Sequence, residues 1–184
     1  QFEAIKIGDS MPAPMITLIA GPSEGKSEVV HKKQELSENH QRMQSFWGQL
    51  IERLRTNDNR LWQSRRAPVA GWLRAAGANG YAFWYVANAG NAYLELSVCA
   101  DDVDRNRKLY TWLRSKSEEI GAVMPGSSIG WTPPEGRKTA RILLPVADFG
   151  VSNESRWPEL QDMLIDAMQK FIEALQPHID ALKE

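Results

Sequence analysis

Three features of this 184-residue chain predict an α+β fold. Residues 43–54 carry an apolar stripe of helical period, residues 81–100 read as two strands joined by a turn, and a second long helical run opens at Trp157-Pro158. The predicted order of helix, hairpin, helix, two strands and helix implies a mostly antiparallel sheet with about three helices packed on one side. A short two-stranded N-terminal remnant precedes these elements.

The remnant comes from strand-like runs near Phe2–Ile7 and Met15–Ala20, separated by the turn-rich Gly-Asp-Ser-Met-Pro-Ala-Pro. Residues 21–37 are rich in Gly, Ser, Lys and Glu and read as a linker. The division expected is therefore 1–20, the tail end of a preceding domain; 21–37, the linker; and 38–184, an α+β module. The chain opens Gln-Phe-Glu-Ala-Ile-Lys-Ile without an initiator Met, inside a strand-like run. It is expected to be a fragment of a longer protein.

The first helix is expected to start with Ser37 as its cap. Met43, Phe46, Trp47, Leu50, Ile51 and Leu54 recur at i, i+3, i+4, i+7, i+8 and i+11, which puts them on one face. Arg42, Gln49, Glu52, Arg53 and Arg55 occupy the opposite face. A stripe of this kind is core rather than ligand site. Tyr81–Ala89 and Ala92–Ala100 then form a hairpin around Gly90-Asn91. Leu94, Leu96 and Val98 alternate with Tyr93, Glu95 and Ser97, so one face of that strand is wet, whereas the first strand is apolar on both faces and expected to be central. Asp101 or Asp102 caps a helix reaching about Ile120, and Ile129–Thr132 and Thr139–Val146 give two more strands. Proline at the first helical position opens the last helix, with Leu160, Leu164, Met168, Phe171 and Leu175 on its buried face. Pro177 is expected to kink or end it.

Composition narrows the class of function. Hydrophobic residues at 42% and charged ones at 24% are globular values. The single cysteine, Cys99, excludes an internal disulfide framework and fits a reducing compartment. No apolar run approaches the roughly 18 residues that span a bilayer, and no signal peptide opens the chain. A cytoplasmic protein without membrane contact is expected. Net charge is −1, unevenly spread: residues 42–75 hold seven arginines and two carboxylates, and residues 142–184 hold three basic and eight acidic groups. The basic block contains only arginine, which favours planar contact with phosphate or carboxylate. Intramolecular pairing of the two blocks is the simpler reading of the same pattern.

Ala20-Gly21-Pro22-Ser23-Glu24-Gly25-Lys26-Ser27 imitates a phosphate loop. That loop needs a parallel sheet and a crossover helix packed on it. Val29, Val30 and Leu36 are too few apolar positions for such a helix. Glu24-Gly25-Lys26 likewise imitates the Glu-x-Lys of PD-(D/E)xK nucleases, but outside the strand setting that directs both groups to one metal. His31, His40 and His178 are far apart, Cys99 reads as a buried small hydrophobe, and Asp101-Asp102-Val-Asp104 reads as a helix start. No catalytic residue, cofactor or metal site is expected.

Gln44-Ser45-Phe46-Trp47, Gly71-Trp72-Leu73, Leu94-Glu95-Leu96 running into Asp101-Asp102, Ile129-Gly130-Trp131, and Trp157-Pro158-Glu159 through Leu175-Gln-Pro177-His178-Ile179 together resemble the bacterial domain-of-unknown-function family 4268. The segment from Ile7 to Pro14 is similar to the close of the domain that usually precedes this module. The resemblance implies that this preceding domain is PD-(D/E)xK nuclease-like and that the protein acts on nucleic acid. It transfers no catalytic residue. The function expected is a non-catalytic C-terminal accessory module that assists nucleic-acid engagement, with Arg53, Arg60, Arg65 and Arg66 contacting phosphates and Trp62 stacking on a base. The alternatives are a protein-interaction or dimerisation domain and a P-loop-type enzyme using Lys26. The partners expected are nucleic acid, the protein's own N-terminal nuclease-like domain and, for a homodimer, a second copy of the chain.

Overall fold

A computed structural model of the chain describes residues 2–5, 13–16, 24–56, 65–135 and 138–182. The chain divides into two units, Gln1–Asn39 and His40–Glu184. In the first, β1 (Phe2–Ile5) pairs antiparallel with β2 (Ala13–Ile16), running from Phe2 opposite Ile16 to Ile5 opposite Ala13. Helix α1 (Glu24–Arg55) begins in this unit and continues into the second. The segment read as a linker is therefore helical from Glu24, and Ser37 lies inside the helix rather than capping it. The physical reason is propensity: Glu, Lys and Gln are good helix formers even without an apolar face. Gln34 adds an i,i+4 hydrogen bond to Glu38 at 3.3 Å.

In the second unit, the stripe on α1 is core as expected, with Phe46, Trp47 and Leu50 at 0% exposure. Trp47 is also tethered at its polar end, since its Nε1–H donates to the Ala70 carbonyl at 2.8 Å. Strands β3 (Trp72–Ala78), β4 (Tyr81–Ala87) and β5 (Ala92–Val98) follow as consecutive hairpins. Helices α2 (Val103–Ser115) and α3 (Ser117–Val123), strands β6 (Gly130–Thr132) and β7 (Ala140–Ala147), and α4 (Trp157–Ala181) complete it. The class is α+β, as expected: a five-stranded antiparallel sheet in the order β3-β4-β5-β7-β6.

Three details differ from expectation. The described residues hold four α-helices rather than about three, partly because the helix expected from Asp102 to Ile120 breaks at Lys116. Asp102 does cap its start, accepting the backbone N–H groups of Asp104 and Arg105 at 2.8 and 3.3 Å. Strand β3 is additional; by pairing on the outer side of β4 it makes β4 an interior strand, as its two apolar faces imply, with β5 in the middle of the five. Finally, α4 runs through Pro177 to Ala181. Its last turn is anchored: Ile179 is 1% exposed, and Trp112 donates to the His178 carbonyl at 2.8 Å.

Alternate residues divide the sheet into two faces. Leu73, Tyr81, Phe83, Tyr85, Leu94, Leu96, Ile142 and Leu144 share one core with Phe46 and Trp47 of α1, Leu113 of α2, Ile120 of α3 and Phe171 of α4. Edge-to-face ring pairs bind this core, including Phe83 on Phe171 at 5.8 Å and Phe46 on Trp157 at 5.5 Å. Buried Asn106 joins the exit of β5 to the entry of β7: its amide bonds the Ala100 N–H and carbonyl and the Lys138 carbonyl at 2.7–2.8 Å. The helices of the second unit thus cover one face, and among its described residues no element lies over the other, open face.

Candidate functional site

The register of the strands lines up three rows across the open face. One row runs Trp72, Val86, Tyr93 and Pro145. The middle row runs Arg74, Trp84, Glu95, Leu143 and Gly130. The third runs Ala82, Ser97, Arg141 and Thr132. Large side chains at Trp72, Trp84 and Tyr93 stand around small Val86, leaving a cavity of about 290 Å³ that also reaches Cys99 and Thr139. Val86 is only 4% exposed although its register places it on this face.

Three aromatic rings at such a surface call for an explanation. Trp72 is 59% exposed, whereas every other aromatic whose burial is described is half-buried or buried. Elsewhere, exposed ring faces carry cations: Arg114 lies over Trp131 at 5.2 Å, Lys116 over Trp112 at 5.3 Å and Arg156 over Phe149 at 3.4 Å. Among the described residues nothing stacks on Trp72, Trp84 or Tyr93. Their π-faces are available.

Charge is placed beside them. In the floor, Glu95 accepts a hydrogen bond from Ser97 Oγ and lies 3.6 Å from Arg141. Burial raises the Tyr93 phenol above its ordinary pKa, Glu95 adds to the rise, and Arg141 opposes it. At the edge strand the Arg65 guanidinium bonds to the carbonyl of Arg74. Burial holds Arg65 below its ordinary pKa, and the nearby charge of Arg74 pushes the same way. Arg74 has no acidic partner among the described residues.

The residues singled out in the sequence fare differently. Arg53 is taken up by α4, bonding the Pro158 carbonyl, Gln161 and Asp162. Arg42 pairs with Glu154 at 3.1 Å. For these two, the basic and acidic blocks face each other within the molecule. Arg65 sits at the sheet edge, next in sequence to exposed Arg66. Arg60 and Trp62 lie outside the described residues. Lys26 is in the first turn of α1, after a two-stranded antiparallel sheet rather than a parallel one. Cys99 is exposed, not buried: it lies just past the end of β5 at Val98 and is one of the residues lining the cavity. Among the described residues, no group of three or more His, Cys, Asp or Glu side chains converges on a metal position, and no helix is long and apolar enough to cross a membrane.

Trp72, Trp84, Glu95 and Arg141 escaped the sequence reading. The available signal was the alternation of β5, which already assigned Tyr93, Glu95 and Ser97 to a wet face. In the comparisons with known proteins, the family model described as "Domain of unknown function (DUF4268)" matches residues 42–179. No curated protein and no solved structure matches the chain.

Proposed function

The chain belongs to the domain-of-unknown-function family DUF4268, and we propose that it is a non-catalytic accessory module that engages single-stranded nucleic acid. Its companion in this reading is a nuclease-like domain of the same bacterial, cytoplasmic protein, as the family resemblance implies. The contact surface is the open face of the sheet.

One observation carries the reading: Trp72 and Trp84, on which no ring or cation lies among the described residues, stand beside Arg74, which has no acidic partner among them. Single strands present flat bases and a phosphate chain together, and duplexes keep their base faces hidden. Stacking on an aromatic side chain is worth about 1–3 kcal/mol per base, and arginines add a salt-sensitive hold on phosphate. Arg66 extends the same basic edge.

The test is a titration of a fluorescent thymidine oligomer at rising salt, with melting curves on every variant. Trp72→Ala/Trp84→Ala is expected to weaken binding on the order of a hundredfold, as loss of two stacking contacts of this size requires. Bound oligomer is also expected to shield Cys99 from a maleimide. Absence of binding at low salt removes the reading. Concentration-dependent self-association lost on Trp72→Ala would put a dimerisation surface in its place.

A further inference from the structure

We infer that the cavity around Glu95 prefers guanine to the other bases, an inference that rests on the single-strand reading above. Glu95 occupies the middle row, between Trp84 on β4 and Leu143 on β7. Its side chain is 12% exposed and lines the cavity. Both of its contacts fall on one oxygen, since Ser97 Oγ and Arg141 Nε each approach Oε1. Among the described residues, Oε2 has no partner, and no buried side-chain oxygen is left unsatisfied. Oε2 is therefore solvent-accessible, an acceptor held in place by its other half on a side chain that lines the cavity.

An ionised carboxylate accepts hydrogen bonds and donates none. It selects a base edge that presents N–H groups. Guanine presents two adjacent donors, N1–H and N2–H, with the O6 acceptor beside them. Arg141, which only donates, sits next to Glu95 and suits O6. Adenine and cytosine offer one amino group next to a ring acceptor, and thymine one N–H between two carbonyls. Each can give Glu95 a single N–H and turn its neighbouring acceptor to Arg141, so each makes one hydrogen bond fewer to the carboxylate than guanine, which adds N2–H. Stacking supplies the placement: side chains directly opposite on antiparallel strands have Cβ atoms about 5 Å apart. A base lying on Trp84 accordingly brings its edge to Glu95.

The experiment uses the full chain and thymidine oligomers carrying one central guanine, hypoxanthine or adenine, followed by fluorescence anisotropy. Hypoxanthine differs from guanine by the missing N2 amino group alone. The guanine oligomer is expected to bind on the order of tenfold tighter than the hypoxanthine one. Glu95→Gln is expected to close that gap while plain thymidine oligomers still bind. Equal affinity for guanine and hypoxanthine in the unsubstituted protein overturns the inference and leaves the single-strand reading intact; that comparison needs no variant to fold. A gap that survives in Glu95→Gln takes the readout away from Glu95 and overturns the assignment. Failure of every oligomer to bind at low salt overturns both readings.

Discussion

On β4, Phe83 and Trp84 are chain neighbours that point to opposite faces of one sheet. Phe83 is 0% exposed, packed edge-on against Phe171 of α4 and Tyr81 of its own strand. Trp84 is flanked by Arg74 and Glu95, partly exposed, and no ring or cation lies on it among the described residues. The covered face contains side chains that complete one another, and on the open face Trp72 and Trp84 have no ring or cation stacked on them among the described residues. A sheet backed by helices on one side is stable with its second face in water, so the open face can carry large rings that folding does not require.

The largest expected effect breaks the symmetry between these neighbours. Phe83→Ala should cost about 3–5 kcal/mol of stability, the range for truncating a fully buried aromatic. Trp84→Ala should cost about 1–2 kcal/mol, because its area is only partly removed from water. Chemical denaturation of both variants decides the matter. Similar losses would mean that the open face is as much a part of the core as the covered one. The same comparison extends to α1, where Trp47→Ala should behave like Phe83→Ala.

A second contrast concerns tyrosines. Burial pushes the Tyr85 phenol, on the covered face, well above its ordinary value near 10, whereas Tyr93 on the open face rises by burial with opposing help and hindrance from Glu95 and Arg141. A phenol that stays protonated longer in the folded state than in the unfolded one gives stability that is complete below pH 10. That stability is lost as pH rises beyond it. Unfolding midpoints should therefore be flat with respect to these groups at neutral pH and fall in strong base. Tyr85→Phe should lessen that fall more than Tyr93→Phe does. An equal response from both would show that Tyr85 is not the more deeply desolvated.

The smallest effects separate the arginines. Arg53→Ala should cost no more than about 1 kcal/mol, the worth of a half-exposed ion pair, and leave oligomer binding unchanged. Arg65→Glu/Arg66→Glu should do the reverse: weaken binding and flatten its salt dependence, with little change in melting temperature. Loss of binding in Arg53→Ala would move the interface from the sheet to the α1–α4 surface.

Local periodicity made much of this fold legible. The stripe from Met43 to Leu54 and the alternation from Ala92 to Val98 need only the geometry of a single helix or strand, and both are met. Strand β3 carried no such mark, since Ala75, Ala76, Gly77 and Ala78 have weak strand preference. Its local clue is Asn79-Gly80, a strong short hairpin signal, with Gly80 at φ +100°. The polar run from Glu24 to Ser37 misled in the opposite sense, being helical by propensity where an apolar face was sought.

The sequence alone sufficed for the α+β class, for the buried face of each main helix and for the wet face of β5, because those depend on neighbours a few positions apart. Which arginine meets a carboxylate was a question of tertiary structure: Arg53 and Asp162 stand 109 positions apart and meet only because α1 and α4 share the core. The open-face site was decided in the same way. Strand register, not spacing along the chain, sets Trp72 beside Val86 and Tyr93, and Trp84 beside Glu95. A shift of one residue in either strand would have turned those rings inward, since successive strand residues face opposite sides.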